Sequence, residues 1–129
     1  MQHVTGIGGD FFRSNDPEAL AAWYTTHLGI IPPGADGPWR QEAGPTVWSP
    51  FEAETDYFGR REQGWMINFR VTDLDAMLDQ LRQAGATVDD RIEDSDIGRF
   101  GWAADPEGIR FELWEPTAHA LQPADTPPA

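Results

Sequence analysis

Three charged residues, Arg13, Arg70 and Glu112, have the type and placement to do chemistry together. Guanidinium forks hold carboxylates or phosphates in a bidentate grip. Glu112 offers two roles: a general base for a proton beside a carbonyl, or an acceptor of charge-assisted bonds from Arg13 or Arg70 that simply satisfies the wall it sits on. Trp48 and Trp114 add two flat faces, suited to sandwiching an aromatic ligand or to core packing. Other chemistries find no support. The chain has no cysteine, which removes disulfides, thiolate metal sites and cysteine nucleophiles. His3, His27 and His119 stand apart, with no paired-histidine spacing. Gly6 to Gly9 precede a strand-like run and not a helix, so they do not form a dinucleotide loop.

Positioning these residues requires strands and helices, and both can be read. Leu20, Trp23, Tyr24, His27 and Leu28 form one apolar helical stripe, with Asp16 as cap, Pro17 in the first turn and Gly29 as the stop. Leu74, Met77, Leu78 and Leu81 form a second, capped by Asp73 and ended by Gly85. Strands are expected at Ile7–Ser14, Trp39–Glu42, Thr46–Ser49 and around Tyr57, and again at Trp65–Val71, Thr87–Arg91, Phe100–Ala104 and Ile109–Glu115. Asp105-Pro106-Glu107-Gly108 reads as a tight hairpin turn.

The two halves repeat. Phe12-Arg13 and Phe69-Arg70 are 57 residues apart, as are Asp16 and Asp73. Val47-Trp48-Ser49-Pro50 matches Leu113-Trp114-Glu115-Pro116 at a spacing of 66. Strand alternation then assigns faces. Ile67, Phe69, Val71, Ile109, Phe111 and Leu113 should pack under the helices. The opposite face carries Met66, Asn68, Arg70, Arg110, Glu112 and Trp114, and by the repeat spacing Gly9, Phe11, Arg13, Thr46, Trp48 and Pro50. Such a mixed aromatic and polar face reads as a binding wall.

Composition sets the outer bounds. The 129 residues suffice for one domain with a core. A net charge of −13 repels phosphate backbones and anionic lipid, which argues against nucleic acid and membrane as partners. No apolar run approaches the roughly 18 residues of a bilayer span, and no basic-then-apolar leader opens the chain, so a cytoplasmic location is expected.

Phe12 to Gly29 reads aromatic-Arg-x-x-Asp-x-x-x-Leu-x-x-Trp-Tyr-x-x-x-Leu-Gly and resembles the opening of vicinal-oxygen-chelate proteins. This superfamily includes glyoxalase I, bleomycin-resistance proteins and extradiol dioxygenases. The run Asp105 to Leu113 resembles its closing hairpin, and Val71 to Gly85 its second helix. The resemblance implies an α+β fold of two βαβββ modules, an open, curled, eight-stranded mixed sheet around a cavity. Module one would span about residues 4–58 and module two about 64–117, within a single domain over 1–117, followed by a flexible tail at 118–129. It also implies a homodimer.

Carried over by motif, the four metal-ligand positions of metal-dependent members fall on Gly9, Thr46, Met66 and Glu112. Glycine has no side chain, a threonine hydroxyl binds poorly and a thioether suits copper(I). Only Glu112 is a good ligand for a hard cation, so no cofactor is expected, and a divalent ion would find Glu112 alone. The resulting expectation is a protein that binds a small aromatic or anionic molecule without a tightly held metal, using Phe11, Arg13, Thr46, Trp48, Met66, Asn68, Arg70 and Trp114. A lyase or isomerase of the glyoxalase-like class, with Glu112 as catalytic base or metal ligand, is the alternative, and a pure interaction module the third reading.

Overall fold

A computed structural model describes residues 1–34 and 37–123. Its regular elements are α1 (Pro17–Leu28), β1 (Asn68–Arg70), α2 (Leu74–Gln83), β2 (Thr87–Val88), β3 (Glu93–Ser95), β4 (Gly98–Ala104), β5 (Arg110–Pro116) and α3 (Ala118–Leu121). Both long helices begin where their caps predict. The Asp16 carboxylate accepts from the Ala19 N–H, and that of Asp73 from the Ala76 N–H. Gly29 ends α1 in the left-handed conformation, and Gly85 follows α2 with φ 82°.

The strands form one mixed, five-stranded sheet in the order β1-β5-β4-β2, with β3 also on β4. β1 runs parallel to β5, and the remaining pairs are antiparallel. Both helices pack on one face of it. Leu20 and Tyr24 of α1 and Leu74, Leu78 and Leu81 of α2 bury against Phe111, Leu113 and Ala103, with Ile67, Phe69, Val71 and Ile109 at the margin. The apolar face assigned from alternation is therefore the core face. Full burial of each such side chain is worth about 1.5–3 kcal/mol.

The expected eight strands are not what the described residues form. Every strand comes from the second half, while 7–14, 39–42, 46–49 and the region around Tyr57 remain irregular. The physical difference is local. Asp105–Gly108 closes a two-stranded nucleus within a few residues, whereas among the described residues the turns closed at Gly37, Thr55 and Gly59 join no pair of strands. Its candidate strands and the links beside them also carry Gly8, Gly9 and Gly44, which lose most backbone entropy, and Pro45 and Pro50, which lack an N–H. At the start of the expected tail, Thr117 caps a single helical turn, Ala118–Leu121, and its N–H donates to the Ile97 carbonyl at 3.0 Å. Residues 124–129 of that tail lie outside the described residues. No helix among the described residues is long and apolar enough to cross a membrane.

Candidate functional site

The site is built from the turn outward. The buried Asp105 carboxylate accepts from the N–H groups of Glu107 and Ile109 at 2.9 and 3.0 Å, and from the Tyr24 hydroxyl of α1 at 2.7 Å. Gly108 supplies the positive φ of 80° that the turn needs. With the turn fixed, the β4–β5 register is fixed, and Trp102 lies opposite Glu112. On the other side of β5, the parallel pairing sets Asn68 opposite Glu112. Asn68, Glu112 and Trp102 therefore form one row across three strands, on the face away from the helices. Arg70, Trp114 and Phe100 form the next row.

Glu112 is the centre of the first row and only 8% exposed. Its Oε1 accepts from Asn68 Nδ2 at 2.7 Å and its Oε2 from Trp102 Nε1 at 3.0 Å. The Tyr57 hydroxyl, from the long connection between α1 and β1, also donates to Oε2. This corrects the expected partnership with Arg13 or Arg70. All three partners are neutral donors, so the carboxylate acts here purely as an acceptor, and no buried side-chain polar atom among the described residues is left without a partner. Burial first, then the bond to Glu112, pushes the Tyr57 phenol above its ordinary value. At neutral pH it is a proton donor and not a base.

Beside this row lies an open cleft of about 610 Å3, walled by Asp56, Tyr57, Asp89, Asp90, Arg91 and Arg110. The guanidiniums of Arg91 and Arg110 approach the Trp102 ring centroid at 4.8 and 5.6 Å. Arg110 also pairs with Asp89 at 3.0 Å and donates to the Tyr57 carbonyl at 3.1 Å. Arg91 also makes an exposed ion pair with Glu93 at 3.5 Å. The cleft therefore combines a phenol, two cations and three carboxylates, with the buried Trp102 indole behind the two guanidiniums.

Of the residues read from sequence, Asn68, Arg70, Glu112 and Trp114 do share one wall. Arg70 is turned to backbone, donating to the carbonyls of Glu42, at 2.8 Å, and Pro45. Trp114 stacks on Phe100 with ring centroids 5.9 Å apart and donates to the Ile97 carbonyl. Met66 is half-buried at the start of the same segment. Phe11, Arg13, Thr46 and Trp48 are not brought to the wall. They lie on exposed, irregular stretches, Phe11 95% and Trp48 74% exposed, because no strand forms there to carry them. Trp102, Arg91 and Tyr57 went unassigned. Trp102 had a usable signal, since the hairpin turn sets it across from Glu112. Tyr57 had none, because its partner is 55 residues away.

The donor set does not fit a tightly held divalent ion. Gly9 and Thr46 stand on exposed stretches, Met66 offers a thioether, and the Glu112 carboxylate is already engaged by three donors. Among the described residues no group of three or more histidine, aspartate or glutamate side chains is arranged to hold a metal.

A family profile described as a glyoxalase-like domain matches residues 10–114. Comparison with curated proteins finds no match. Among solved structures, TnmS3, an antibiotic binding protein from Streptomyces sp. CB03234, is 24% identical with a TM-score of 0.54, over 89% of this chain and 100% of its own. A glyoxylase/bleomycin resistance protein/dioxygenase domain from Frankia sp. EAN1pec is 14% identical with a TM-score of 0.55, over the same shares of the two chains. A member of the glyoxalase/bleomycin resistance protein/dioxygenase superfamily from Sphaerobacter thermophilus DSM 20745 is 19% identical with a TM-score of 0.50, over 79% of this chain and 90% of its own. The profile spans most of the chain, the neighbours share its fold, and the closing hairpin carries the motif that first suggested the relationship: the chain belongs to the glyoxalase-like domain family of the vicinal-oxygen-chelate superfamily.

Proposed function

We propose that this chain is a binding member of the family, taking a small aromatic or anionic molecule against the Glu112 wall without a tightly held metal, and acting by sequestration. The observation that carries the reading is the state of Glu112. The one good hard-cation ligand of the family positions is occupied by Asn68, Trp102 and Tyr57, in a setting of aromatic rings and two guanidiniums. Such a wall has the means for stacking and anion pairing. A fold neighbour described as an antibiotic binding protein lends support. The proposed assembly is a homodimer, supported by the apolar side chains of Val4, Ile7, Phe11, Val47 and Trp48, which stay exposed in the isolated chain.

Thermal-shift screening with flat aromatic and anionic compounds tests this. A ligand that binds only the folded chain raises the melting temperature. The reading fails if no compound does so, or if chain purified without chelator carries stoichiometric nickel, zinc or iron.

A further inference from the structure

Resting on that binding reading, we propose that Tyr57 is a built-in occupant of the ligand site, and that the ligand it stands in for is a hydroxylated aromatic whose O–H takes the phenol's place on Glu112. The wall already binds a phenol, namely its own. The Tyr57 ring meets Trp102 edge-on, centroids 6.1 Å apart at 87°, and stacks on Phe51 at 5.2 Å and 29°. Its hydroxyl donates to Glu112. The slot therefore has two aromatic sides and a carboxylate acceptor at its base, the complement of a phenol.

The way Tyr57 is held makes it exchangeable. Backbone bonds within residues 51–64 close only local turns, Thr55 to Glu52, Gly59 to Asp56 and Gln63 to Arg60. The connection is fastened to the sheet by side chains. Gln63 carries a double link to the Arg110 backbone, donating to its carbonyl at 2.7 Å and accepting from its N–H at 2.9 Å. Arg110 in turn reaches the Tyr57 carbonyl at 3.1 Å. These anchors do not depend on the Tyr57 ring, so the ring can leave while the connection stays attached. Glu112 itself remains placed by Asn68 and Trp102.

The test uses p-cresol as the probe, toluene as its hydroxyl-free match, and the full chain with its variants Tyr57→Ala, Tyr57→Phe and Tyr57→Ala/Glu112→Gln. In Tyr57→Ala, p-cresol should bind about tenfold more tightly than toluene, the effect of one hydrogen bond to a charged group. Adding Glu112→Gln should remove most of that preference. Tyr57→Phe, whose ring leaves without breaking a bond to Glu112, should bind p-cresol several-fold more tightly than the parent. Equal binding of p-cresol and toluene by Tyr57→Ala overturns the proposal, and so does p-cresol binding no tighter in Tyr57→Phe than in the parent. If Tyr57→Ala does not fold, the Tyr57→Phe comparison decides alone. A screened ligand that stabilises parent and Tyr57→Phe equally would leave the binding reading standing and remove this one. No screened ligand acting on the parent or on Tyr57→Phe would overturn the binding reading, and this proposal with it, whatever Tyr57→Ala prefers.

Discussion

Trp102 and Glu112 stand directly opposite one another across the β4–β5 hairpin, and the indole N–H of the first closes on the carboxylate of the second at 3.0 Å. Replacing Glu112 by alanine strands three donors, those of Trp102, Asn68 and Tyr57. The expected loss of stability is about 2–4 kcal/mol, because buried donors without acceptors bear their full desolvation cost. Glu112→Gln keeps one acceptor oxygen and should lose about 1–2 kcal/mol. Urea unfolding of the three proteins measures both. Equal stability of parent and Glu112→Ala would show that the network holds nothing in place.

Alkaline pH should unfold the chain through its two tyrosines. Burial, followed by the bonds to Asp105 and to Glu112, pushes the phenols of Tyr24 and Tyr57 above their ordinary 10.0. The unfolded chain releases these protons near that ordinary value while the folded chain keeps them. Their contribution is therefore complete below pH 10.0 and is lost as pH rises above it. Tyrosinate absorbance should appear together with the loss of folded-state circular dichroism and not before it. Tyr24→Phe should flatten the alkaline fall and cost about 1 kcal/mol at neutral pH through the lost Asp105 bond.

Acid acts at the other side of the same turn. Glu107 accepts from the Ser14 hydroxyl at 2.6 Å and the Asn15 N–H at 2.7 Å, and these bonds hold its carboxyl below its ordinary 4.5. That stabilisation is present above the ordinary value and disappears as pH falls through the lowered one. The melting temperature of the parent should therefore fall on acidification more steeply than that of Glu107→Gln. Parallel melting curves against pH for the two proteins would contradict this.

Gly98 is the position least able to accept a side chain. Its φ is 140°, and a Cβ there would meet the Glu115 carbonyl oxygen at 2.1 Å and the Trp114 indole nitrogen at 2.8 Å. Gly98→Ala should cost about 2–5 kcal/mol from backbone strain and overpacking together. Gly64→Ala, with nothing within 4 Å, is the matched control and should shift the urea midpoint little.

The second half of the chain was legible because its signals are local. Caps, stripes and one turn dictate where α2 and the hairpin lie, and alternation from that turn sets which side chains share a wall. Asn68, Arg70, Glu112 and Trp114 were found by that route, and Trp102 was within its reach. The first half misled because repetition of residue types is not repetition of pairing. Phe11 to Arg13 copy the pattern of β1 without having a neighbour to pair with. Tyr57 was invisible for a different reason: a contact across 55 residues leaves no trace in local spacing. The expected arginine partners of Glu112 failed because charge complementarity alone does not determine which donors reach a buried acceptor.

The clasp between Tyr24 and Asp105 joins residues 81 positions apart. The helix carrying Tyr24 is synthesised early, but the surface that receives it is completed by Phe111 and Leu113, which are made much later. A nascent chain on the ribosome therefore carries α1 with its apolar stripe uncovered until the hairpin has left the exit tunnel. Folding of this domain waits on emergence of the hairpin, and a stalled chain that stops short of β5 presents Leu20, Trp23 and Tyr24 to whatever chaperone waits at the tunnel mouth.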